Sequence, residues 1–200
     1  MNKVFFVGAN KLLTPFINSA VSSHRVVVQT TTPFIELNKS IIFIRCTLVD
    51  FGLSKLFGFF NLQTAPPFLY KGLTQNLKKH LPDKIVHFDI IRLAVVQVIQ
   101  HVKRHQNCQL YLYCETRKWP SSFLSKLVLW LLVMYVRRNQ RYVTKILVYT
   151  KQGQEWFQQQ FPSIEVVLCP VPVDSALFYP LNGKQYAPDN TLRIIINARF

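Results

Sequence analysis

A histidine and an aspartate two residues apart, His87 and Asp89, stand where a run of apolar residues ends. An imidazole there can orient a hydroxyl group or move a proton near neutral pH. Equally, Asp89 can cap a helix while His87 sits partly buried and hydrogen-bonded, and the residues leave both readings open. Glu115 is one of nine acids and is followed by Thr116, Arg117 and Lys118. The adjacent cations favour its ionised form, suited either to accepting hydrogen bonds from hydroxyls or to a surface ion pair. Gly8, Ala9, Asn10, Lys11 and Thr14 follow the first apolar run. Gly8 and Asn10 can shape a backbone cradle before the positive end of a helix, or an ordinary strand-to-helix turn. Thr150 ends another such run. Cys46, Cys108, Cys114 and Cys169 form no Cys-x-x-Cys pair and have no histidine at metal-ligand spacing. They are expected to be reduced and mostly buried, with no metal.

These positions acquire a common geometry once the elements are laid out. Strands are predicted at Lys3 to Val7, Arg25 to Gln29, Ser40 to Arg45, Lys84 to Phe88, Gln109 to Cys114, Lys145 to Tyr149, Glu165 to Leu168 and Leu192 to Ile196. Helices are predicted at Leu12 to Ser22, Pro67 to His80, Ile90 to His105, Ser122 to Gln140 and Gln152 to Phe161. Nearly continuous apolar strands alternating with helices predict an α/β fold, a Rossmann-like doubly wound parallel sheet. Val49 to Phe60 fits either a helix or a packed loop. In such sheets ligands lie outside the carboxyl ends of the strands, where all the residues named above except the cysteines fall.

The chain of 200 residues carries 24 Lys and Arg against nine acids, a net charge of +15, which attracts polyanions. Lys118 to Lys151 contains no acid, and Leu127 to Val136 is uninterrupted apolar sequence followed by Arg137, Arg138 and Arg141. That run is too short to span a bilayer, which takes about 20 residues. It is either a buried crossover helix or a helix resting in the membrane interface, with Lys126, Trp130, Arg137, Arg138 and Arg141 as contacts. The start, Met1 to Gly8, reads as a strand and not as a secretory signal, so a cytoplasmic location is expected.

Phe161 to Asp174, with Pro170-Val171-Pro172-Val173-Asp174 followed by Phe178-Tyr179-Pro180, resembles the interdomain signature of the group 1 glycosyltransferases. Pro82-Asp83-Lys84-Ile85-Val86-His87, Tyr113-Cys114-Glu115-Thr116 and Lys145 to Thr150 also resemble elements of that family, in its order. The sequence departs from it in having Gly8-Ala9-Asn10 where a Gly-Gly pair is common, and Glu115 where the family has histidine. The resemblance implies the N-terminal, acceptor-side half of a two-domain GT-B fold over residues 1–170. A linker over 171–190 and the first strand of a truncated nucleotide-sugar-binding domain over 191–200 would follow.

It further implies a metal-independent, retaining hexosyltransferase of polysaccharide biosynthesis, peripheral at the inner face of the cell membrane. Such an enzyme has no cofactor. A UDP-, GDP- or ADP-sugar is the donor substrate, and a glycan or lipid-linked molecule is the acceptor. Gly8, Asn10, His87, Asp89, Glu115, Thr116, Arg117 and Thr150 would then bind acceptor. Arg199 would reach the donor diphosphate, and the catalytic residues would lie beyond Phe200, leaving this fragment inactive alone. The competing reading is a non-enzymatic basic α/β module that binds anionic membrane or nucleic acid. The dispersed charge and lack of a nucleic-acid motif argue against nucleic acid.

Overall fold

Strand β1, Lys3–Val7, buries both of its faces: Phe5 and Val7 point into one apolar layer, Val4 and Phe6 into another. A strand with no polar side can only be satisfied in the middle of a sheet covered above and below. In this computed structural model, which describes residues 2–8, 14–31, 40–49, 69–90, 92–114 and 123–170, β1 lies near the middle of such a sheet. The other strands are β2 (Arg25–Thr30), β3 (Ile42–Arg45), β6 (Lys84–Phe88), β7 (Gln109–Cys114), β8 (Lys145–Val148) and β9 (Val166–Leu168). They form a seven-stranded sheet in the order β3-β2-β1-β6-β7-β8-β9 with every pairing parallel.

The chain winds outward from β1 in both directions, so crossovers of one hand must place their helices on opposite faces. Helix α1, Thr14–Ala20, packs Ile17 and Phe16 against one face. There Phe6, Phe88, Tyr113 and Tyr149 make ring contacts with centroids 5.3–6.3 Å apart. Helices α2 (Leu73–His80), α3 (Ala94–Arg104), α4 (Phe123–Arg138) and α5 (Lys151–Gln160) cover the other. Each apolar stripe supplies residues to that core: Leu73 and Leu77, Val95, Val98 and Ile99, Leu132 and Val136, Phe157. Thr150 starts α5 with its Oγ1 accepting from the Gly153 N–H at 3.0 Å. None of the four cysteines is in a disulfide, and three of them are buried.

Every expected strand that falls within the described residues is present, its bounds differing by no more than two residues. The expected start of α2 at Pro67 is not: Leu69–Tyr70 (β5) instead pairs antiparallel with Leu48–Val49 (β4), in a small second sheet. Gly72, at φ 76, ends that strand and allows the helix to begin only at Leu73. The helix expected from Ile90 begins at Ala94, because Asp89 adopts φ 76 and Leu93 is the N-cap. Most of Val49 to Phe60, the linker over 171–190 and the strand at 192–196 lie outside the described residues.

Helix α2 ends on Leu81, held left-handed at φ 42 immediately before Pro82, with its side chain 54% exposed. A left-handed non-glycine residue costs about 1–2 kcal/mol, and this one recovers little by burial. Leu81→Gly is therefore expected to raise stability by about 0.5–1 kcal/mol, read as a higher urea midpoint at unchanged slope.

Candidate functional site

The strand order reverses about β1, so the carboxyl ends of β1 and β6 diverge from their helices on opposite sides and open a crevice between them. Both strands leave that point through a left-handed residue, Gly8 at φ 75 and Asp89 at φ 76. The Asp89 N–H donates to the Tyr113 carbonyl at 2.9 Å, and the Gly8 N–H to that of Gln29 at 2.8 Å. Over Gly8 lies Arg92, whose Nη1 donates to the Gly8 carbonyl at 3.3 Å and also to the Tyr70 hydroxyl. A Cβ at position 8 would stand 2.5 Å from the Tyr70 hydroxyl and 2.7 Å from Arg92 Nη1, so the arrangement needs glycine.

Beneath this pair the site is closed. His87 and Gln29 are both fully buried, and neither His87 ring nitrogen has a hydrogen-bond partner. Asn76 Nδ2 donates to Gln29 Oε1 at 3.2 Å, leaving Gln29 Nε2 unpaired. Burial first, and the Arg92 charge second, push the His87 imidazole down to about 3; the nearby backbone of Val7 and Asp89 opposes this without bonding geometry. His87 is thus a neutral ring inside the core, and a hydroxyl in solvent has no route to it. Asp89 is not a helix cap, the structural role open to it in the sequence. Thr150 points its Oγ1 back at its own helix. Asn10, Glu115, Thr116, Arg117 and Arg199 lie outside the described residues.

Arg92 and Tyr70, which organise the crevice, were not singled out by the sequence. The available signal was a lone cation inside the apolar stretch Ile90-Ile91-Arg92-Leu93.

Helix α4 presents a different surface. Leu129, Leu132, Val133 and Val136 face the core, while Phe123, Leu127, Trp130 and Leu131 are 81%, 39%, 49% and 53% exposed. At 3.6 residues per turn, the outward set and Met134 fall within about a quarter of the circumference. Exposed Lys126 and Arg137 lie along one side of that stripe, and exposed Arg138 continues its line at the C-terminal end of the helix. Arg137 is fixed to the end of α5, its Nε donating to the Gln160 carbonyl at 2.6 Å. The helix is apolar on both sides yet only one side is covered, and its 16 residues cannot cross a bilayer. No described helix is long and apolar enough to do so. The buried reading therefore describes the inner face of this segment, while its outer face is left exposed.

No protein-family model matches the chain, and no curated protein sequence does. Among solved structures, similarity is found to TubZ of Clostridium botulinum phage c-st, with a TM-score of 0.41 and 10% identity. The alignment covers 74% of this chain and 51% of that one, so the chain spans about half the length of that protein. A likeness this distant carries no argument about activity.

These comparisons do overturn the transferase expectation. The group 1 glycosyltransferase resemblance, with its GT-B half-fold, retaining hexosyltransferase activity and polysaccharide biosynthesis, finds no counterpart among the family models or curated sequences, and a solved structure that the chain is similar to is a TubZ. The physical reason is visible in the motifs. His87 is sealed in the core and Thr150 is spent on a cap, so their order along the chain reflects strand and helix boundaries common to parallel α/β sheets.

The buried imidazoles make stability depend on pH. The unfolded chain binds a proton at His87 below about 6.5 whereas the fold refuses it down to about 3. The contribution of His87 to stability is thus flat above neutrality and falls as pH drops through that window, by up to about 1.4 kcal/mol per pH unit for each such ring. His101, 4% exposed and pushed down to about 4, adds a second. His87→Leu is expected to remove one proton from the uptake on unfolding, seen as a shallower loss of urea midpoint from pH 7 to pH 4. An unchanged slope would mean that position 87 is not buried neutral.

Proposed function

We propose that this chain is a basic α/β module, built on a doubly wound Rossmann-like sheet, that docks peripherally on anionic membrane through the outer face of α4. The observation that carries this reading is the solvent-facing stripe of Phe123, Leu127, Trp130 and Leu131, with Lys126 and Arg137 along one side and Arg138 at its C-terminal end. Apolar side chains on a folded surface cost solubility and persist where something covers them. A bilayer interface suits this combination, because the aromatic and leucine side chains enter the acyl boundary while the flanking cations stay at the phosphates. Each Lys or Arg near an anionic surface contributes about 1 kcal/mol. No acid lies between Glu115 and Glu155 to oppose them. Nucleic acid, the other polyanion, would use the cations but leave the apolar stripe in water.

The test is co-sedimentation of the chain with phosphatidylcholine vesicles, with and without phosphatidylglycerol. Binding is expected only to the anionic vesicles and should weaken with salt as the Debye length shortens. Arg138→Gln should lower the affinity about fivefold. Trp130→Ser should lower it about tenfold, with thermal stability unchanged because the side chain is exposed. Equal binding to neutral vesicles, or none to anionic ones, would sink the proposal.

A further inference from the structure

Helix α4 runs antiparallel to the strands, so it delivers its C-terminal end to the amino edge of the sheet, opposite the crevice at Gly8. An open cleft of about 430 Å³ lies at that edge, between the end of α3, the starts of β7 and β8, and a 3-10 turn at Gln140–Tyr142. Its wall includes Arg141, Tyr142, Gln106, Gln109 and Thr144, and no acid. Two cations converge on one ring there: Arg141 Cζ is 4.8 Å and Lys103 Nζ 5.4 Å from the Tyr142 centroid. Arg141 Nη2 donates to the Tyr142 hydroxyl at 2.7 Å, which holds the guanidinium in place. Lys145, the next cation along, is engaged with Glu165 at 2.8 Å and does not compete.

We infer that this cleft binds a phosphate ester bearing hydroxyl groups, and that its source is the polyol head group of an anionic phospholipid at the surface α4 docks on. The inference rests on the proposed membrane docking for its lipid source, but the cleft chemistry stands apart from the apolar stripe. Arg141, in the wall, supplies the charge that a phosphate requires, since a guanidinium can meet two of its oxygens at once, and Lys103, 5.4 Å from the Tyr142 ring, adds to the positive field there. Gln106, Gln109 and Thr144 supply neutral polar groups of the kind that hydroxyls pair with. A volume near 430 Å³ is in the range of small-molecule sites and exceeds what a bare phosphate fills. A serine head group fits less well, since its hydroxyl is consumed in the phosphate ester and it brings none for Gln106 and Thr144 to pair with.

Two measurements test this. In the first, vesicles containing phosphatidylinositol are compared with vesicles of equal charge containing phosphatidylserine. About a tenfold preference for inositol is expected, and Arg141→Gln with Lys103→Gln should abolish it while leaving residual binding to both. In the second, soluble inositol 1-phosphate is titrated without vesicles, and amide NMR signals of Gln106, Gln109 and Thr144 are expected to shift in the parent chain and in Trp130→Ser alike. Trp130→Ser that loses vesicles but keeps the soluble ester separates the cleft from the docking face. Equal affinity for the two anionic vesicles, or a preference that survives the double substitution, would overturn the head-group assignment. Soluble ester binding with no vesicle binding would overturn the lipid source. No shift with the soluble ester would overturn the cleft itself.

Discussion

The need to cover both faces of β1 governs the rest of the molecule. Lys3–Val7 alternates Val4 and Phe6 toward one layer with Phe5 and Val7 toward the other, so neither side can be left in water. Parallel neighbours on either edge, β2 and β6, and helices above and below are the arrangement that satisfies it. From that follow the reversal of strand order, the segregation of α1 from α2 to α5, and the position of the left-handed Gly8 at the end of β1.

The same covering rule makes the unburied face of α4 conspicuous. A crossover helix normally carries apolar residues on one stripe and polar residues elsewhere. Here the inner stripe is fully used by Leu129, Leu132, Val133 and Val136, and the outer side repeats apolar chemistry that the fold does not consume. The carboxyl-edge crevice shows the opposite economy. Polar residues there, Gln29, Asn76, Tyr70 and Arg92, are turned mainly toward one another and toward the Gly8 carbonyl.

Much of the fold was legible in the sequence because parallel strands buried on both sides are continuous apolar runs, and Lys84 to Phe88 or Gln109 to Cys114 admit no other reading. Helix starts were less legible. Pro67 and Ile90 both have helix-compatible sequence after them, and what delays the helices is a left-handed residue, Gly72 or Asp89, whose conformation is set by packing. The pairing of Leu48–Val49 with Leu69–Tyr70 was hidden because two-residue strands far apart in sequence leave no periodicity. For the site, the position of His87 at a strand end was readable, but its complete burial was not. That depends on tertiary packing around β6, which sequence pattern does not give. On α4, composition alone could not say which of ten consecutive apolar residues faced outward.

The outer face of α4 exists as a finished helix before any partner arrives, because its inner face is locked into the core. A free amphipathic peptide must order its backbone as it meets a surface, at about 1–2 kcal/mol per residue. This helix has already met that cost in folding, so contact energy gained outside reaches the binding equilibrium nearly undiminished. Adhesion of this kind is graded by surface composition, quick to reverse, and tunable by a single added or removed charge.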